Sequence, residues 1–74
     1  MQSYIINLNQ VEELQMIKDS DELERIFNKA KSTIVQGEKV VIMRTDPGGA
    51  ANKVDELSTE PELEKYKDEV MKYM

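Results

Sequence analysis

This chain has no cysteine and no histidine, and at 74 residues that absence limits what it can fold into more than anything it contains. A domain of this size buries only roughly 60% of the surface its unfolded chain exposes. Small domains therefore often lean on disulfides, a structural metal or self-association. Without Cys there is no disulfide, and without Cys and His there is no zinc cage. Tight packing of helices on a sheet, or association of copies, remains. The expectation is a single small α+β domain over residues 1–74. With 39% hydrophobic and 34% charged residues, the chain has enough apolar side chains to build a core rather than stay disordered.

Residues 21–36 give the clearest pattern. Leu23, Ile26, Phe27, Ala30 and Ile34 fall on one stripe of an α-helix. Ser20 is the expected N-cap, and Gly37 can take the left-handed conformation that closes the helix. Residues 3–8 are rich in Tyr and β-branched side chains and read as a strand. Asn9-Gln10 then suits a tight turn, and the alternation over residues 12–18 predicts a second strand closing an N-terminal hairpin. A competing reading makes residues 10–36 one long helix, since Val11, Leu14 and Ile17 also fit helical spacing. Lys18-Asp19-Ser20-Asp21 argues against it, because it interrupts the apolar stripe.

Residues 39–45 form a strand with apolar side chains on both faces, Val41 and Met43 on one and Val40 and Ile42 on the other. Asp46-Pro47-Gly48-Gly49 ends it, with positive φ expected at Gly48. Residues 50–58 read as a short helical turn from Ala50, Val54 and Leu57, with a strand as the alternative. Thr59 and Glu62 have capping-box spacing at the start of a last helix, whose first turn accommodates Pro61. Its stripe is Leu63, Tyr66, Val70 and Tyr73. The expected architecture is ββαβα, with a three-stranded sheet in the order 2-1-3. The strand at 39–45 lies beside and antiparallel to the first. The first helix covers one sheet face, and the last covers the other or packs on a second copy.

The Asp46–Asn52 loop follows a strand and, with residues 50–58 read as helical, opens a helix, which is the setting of an anion site. Arg44, Thr45, Gly48 and Gly49 are its candidate ligand-binding residues, with the Arg44 guanidinium suited to bidentate contacts. Neither the phosphate-loop spacing nor the dinucleotide fingerprint is present, and Asp46 would repel phosphate. A plain strand-exit turn, with Arg44 paired to Asp46 or solvated, is the simpler reading. The acidic clusters at helix starts are accounted for by the helix dipole, and the calcium-loop pattern is absent. No catalytic residue, cofactor or metal is assigned.

The last helix supplies the candidate interface residues Leu63, Tyr66, Val70 and Tyr73, although such a stripe is also what a core needs. A net charge of −5 argues against general nucleic-acid binding, and no segment has the roughly 20 apolar residues of a membrane span. A cytoplasmic location is expected. The leading function class is a non-enzymatic protein–protein interaction module acting as a homodimer. The alternatives are a small-ligand or anion-binding domain using the Pro/Gly loop, and an acidic nucleic-acid mimic that inhibits a DNA-binding protein.

Overall fold

The computed structural model describes residues 3–72, and its longest helix forms where the five-residue apolar stripe predicts one. The elements run β1 (Tyr4–Asn7), α1 (Leu8–Met16), α2 (Ser20–Val35), β2 (Val40–Thr45), β3 (Ala51–Leu57) and α3 (Glu60–Lys72). All five stripe residues of α2 are buried. The α+β class, the three-stranded sheet and the C-terminal helix are as expected. What fills the sheet differs. Residues 8–16 are helical, so the N-terminal hairpin does not form, and residues 51–57 supply the third strand in place of a helical turn. The element order is therefore βααββα rather than ββαβα.

The chain enters α1 straight from β1. Asn7 is both the last residue of the strand and the N-cap, its side-chain oxygen accepting the Asn9 N–H at 2.9 Å. Val11 and Leu14, one helical turn apart, are buried. Met16 and Ile17 would have been covered by turns in a second strand; they are 84% and 64% exposed. At the end of α1, Lys18 N–H donates to the Gln15 carbonyl and Asp19 N–H to the Leu14 carbonyl. That is the Schellman closure, with Lys18 in the left-handed region at φ 56°. The same closure ends α2, where Gly37 (φ 85°) donates to Ile34 and Glu38 to Thr33. The N-cap of α2 is Asp19 rather than Ser20: its carboxylate, one atom longer in reach, accepts the Glu22 N–H at 3.1 Å.

The sheet order is β1-β2-β3. β1 and β2 are neighbours, as the sequence suggests, but they run parallel rather than antiparallel, with Tyr4 opposite Val40 and Ile6 opposite Ile42. The physical reason is α1. With no returning strand, the chain crosses over through two helices and re-enters the sheet in the direction it left. The hairpin lies instead between β2 and β3, which pair antiparallel. Gly49 N–H donates to the Asp46 carbonyl and Asp46 N–H to the Ala50 carbonyl, both at 2.9 Å. This closes a short loop with Gly49, not Gly48, at positive φ, as three-residue hairpin loops require.

Ile6, Val40, Ile42 and Leu57 face one side of the sheet and form a single buried cluster with Val11 and Leu14 of α1, the α2 stripe, and Leu63 and Val70 of α3. The last helix thus packs on the same sheet face as the first two, not on the opposite one. Phe27 of α2 meets Tyr66 of α3 edge to face, with ring centroids 5.8 Å apart. The Gln15 side chain ties α1 to α3 through the Val70 carbonyl at 2.9 Å. Thr59 and Glu62 form the predicted capping box, each accepting the other's backbone N–H.

Candidate functional site

Two places carry the residues singled out by sequence: the Arg44 end of the sheet and α3. Arg44 continues the covered face of β2, two positions beyond Ile42. Its guanidinium grips the Glu12 carboxylate of α1 in a bidentate pair, at 2.9 and 3.0 Å. This contact holds the Glu12 carboxyl below its ordinary range, chiefly through the hydrogen bond. Thr45 is engaged as well. The Asn9 carboxamide donates to its carbonyl and accepts its N–H, both at 3.0 Å, so a side chain of α1 takes the place of a strand partner at the end of β2.

The loop beyond offers few free donors. The N–H groups of Asp46 and Gly49 are bonded within it, and the Ala50 N–H donates to the Asp46 carboxylate at 3.0 Å. That carboxylate takes up a donor an anion could otherwise use. Arg44, Thr45, Gly48 and Gly49 are thus close together, as expected, but three of the four are already engaged by intramolecular hydrogen bonds. Glu12 and Asn9, the partners that engage Arg44 and Thr45, lie more than 30 residues away in sequence and carry no local signal of the contact.

On α3, Leu63 and Val70 are buried in the chain's own core and Tyr66 is half-buried against it. Tyr73 lies outside the described residues. The Tyr66 hydroxyl is buried without a hydrogen-bond partner. Burial first, then the nearby charges of Glu12 and Asp55, push its ionisation up to about 12.

What the helices leave uncovered is the other sheet face. Ile5 lies beside Val41, and the bulge in β3 sets Lys53 and Val54 against Met43. Ile5 and Val54 are 59% and 53% exposed, while Val41 and Met43 are half-buried by their lateral neighbours alone. Towards β3 the face turns polar. Glu56 bridges Lys53 at 2.7 Å and Lys39 at 3.2 Å, and these two contacts, Lys53 first, hold its carboxyl below the ordinary range. The strip is therefore apolar on the β1 side and charged on the β3 side.

Among the described residues no group of three or more carboxylates is placed to hold a metal ion, and no helix is long and apolar enough to cross a membrane. Comparison with models of known protein families, with curated proteins and with solved structures finds no match.

Proposed function

We propose that the protein is a non-enzymatic interaction module that acts as a homodimer and presents its uncovered sheet face to protein partners. One observation supports this above the others. All three helices bury their apolar side chains on a single sheet face, while Ile5, Val41, Met43 and Val54 lie together on the opposite face with no helix over them. Apolar patches left open on a small protein commonly mark interaction sites, and closed two-fold dimers are the commonest oligomers. The partner is protein rather than nucleic acid, since the chain carries a net charge of −5 and phosphate binding needs clustered cations. The cytoplasmic assignment rests on composition alone. Anion binding is disfavoured because a ligand would have to displace Glu12 from Arg44 and then face Asp46.

The test is the mass in solution. Sedimentation velocity and light scattering from micromolar to millimolar concentration should show a monomer–dimer equilibrium. A monomeric mass across the whole range would overturn the reading.

A further inference from the structure

Resting on the homodimer reading, we propose that two copies join through the free edge of β1, antiparallel about a two-fold axis at Ile5, to make one continuous sheet with three strands from each copy. The two edges of the sheet differ. A free edge strand exposes unpaired N–H and C=O groups, and proteins that stay apart blunt such edges with charges and bulges. β3 has both devices: Lys53, Asp55 and Glu56 lie along it, and its ladder with β2 is bulged at Ile42/Met43. β1 has neither. Its ladder is regular from Tyr4 to Asn7, and no Asp, Glu, Lys or Arg occurs from residue 1 to residue 11, the longest uncharged run in the sequence.

The register follows from which backbone groups point outward. Tyr4 N–H donates to the Lys39 carbonyl at 3.1 Å, so Tyr4 and Ile6 address β2. In an extended strand the alternate residues, Ser3, Ile5 and Asn7, address the free edge. An antiparallel pair centred on Ile5 lets Ile5 exchange both hydrogen bonds with Ile5 of the second copy, and lets Asn7 N–H reach the second copy's Ser3 carbonyl. By symmetry this gives about four backbone bonds. The side chains agree with that register. Ile5, more than half exposed in one copy, meets its equivalent on the uncovered face, and the Ile5–Val41 strips of the two copies become one apolar surface. β1 itself brings no charged side chain to the axis, which matters for chains that each carry −5.

The absence of native cysteine makes the test clean. Ile5→Cys places two thiols across the axis at a Cα separation of about 5.5 Å, inside the roughly 4.4–6.8 Å a disulfide spans. Under mild oxidation it should form an interchain disulfide readily. Met43→Cys and Val54→Cys should not, because in this arrangement their equivalents stand about 15 Å apart or more. Ile5→Lys, at an exposed position, should keep the parent melting temperature within a few degrees yet weaken dimerisation about tenfold or more by setting like charges opposite each other. Added salt should tighten the native dimer by screening the net repulsion.

Preferential cross-linking at Met43 would show face-to-face packing, and at Val54 pairing through β3. Either outcome overturns the β1 assignment while leaving the homodimer reading intact. A native dimer that Ile5→Lys does not weaken, or that salt dissociates, also overturns it. A native monomer at all concentrations overturns both proposals.

Discussion

On one face of the sheet Ile6, Val40, Ile42 and Leu57 are almost fully buried, whereas on the other Ile5 and Val54, from the same outer strands, are more than half exposed. Both faces carry β-branched side chains, so composition does not separate them. The difference is where the helices go. α1 and α2 are inserted together between two parallel strands, and α3 packs back onto α2, which leaves one side with three helices and the other with none. A side chain's contribution to stability here is set by the face it occupies rather than by its hydrophobicity.

The largest effect should come from the covered side. Phe27→Ala removes a ring packed between α2 and α3 and should cost about 3–5 kcal/mol, enough to abolish most of the stability of a marginal domain. A thermal melt that stays cooperative within a few degrees of the parent would break the comparison at its stronger end. A smaller effect of opposite sign is expected from an unsatisfied group on the covered side. Tyr66→Phe removes the unpartnered hydroxyl and should be neutral to stabilising by up to about 1 kcal/mol in denaturant titrations. It should also change the alkaline limb. With the native ionisation raised to about 12 from 10.0, the stability linked to Tyr66 is fully present below pH 10 and is lost as pH rises towards 12. Tyr66→Phe should flatten that loss.

On the open face, Met43→Ser should shift stability by about 1 kcal/mol or less in the monomer, since this half-buried side chain has no helix over it. A cost as large as that of Phe27→Ala would mean the face is covered in solution. Smallest of all, the acid limb should not distinguish the faces. Glu12 pairs with Arg44 on one side and Glu56 with Lys53 and Lys39 on the other, and both carboxyls are depressed. Each supports the fold above the ordinary carboxylate range near 4.5 and loses its contribution as pH falls through its lowered native value. Glu12→Gln and Glu56→Gln should each remove a similar small part of the acid slope in pH-dependent melts.

The parts of the fold that were legible in sequence are those with their own periodicity or punctuation. The α2 stripe, the apolar run of β2, the Thr59–Glu62 box and the closing Gly37 all form as read. α1 was ambiguous because only Val11 and Leu14 of its nine residues are buried, and two residues cannot define a period. Met16 and Ile17 added a false alternation, and the Asn9 clamp on Thr45 joins residues that no local window contains. β3 left even less to read. Only Leu57 of its seven residues is buried, so nothing apolar repeats along it, and pairing with β2 rather than its own propensity makes it a strand. At Arg44 the same limit holds: the residue is legible in the sequence, but its partner Glu12 is supplied by the tertiary fold.

The parallel ladder also sets an order of events during synthesis. β2, β3 and α3 are contiguous from Val40 onward, and the hairpin needs only the short Asp46–Ala50 loop to close. β1 has no partner until β2 has been made, with both helices in between. At roughly 5–20 residues per second, that leaves the uncharged first strand waiting on the order of seconds on the nascent chain. A stretch without charges is then open to any other unpaired strand, including β1 of a neighbouring nascent copy. Crowded polysomes are therefore where mispairing of this protein should begin, and holding the helical crossover together early is the most direct protection against it.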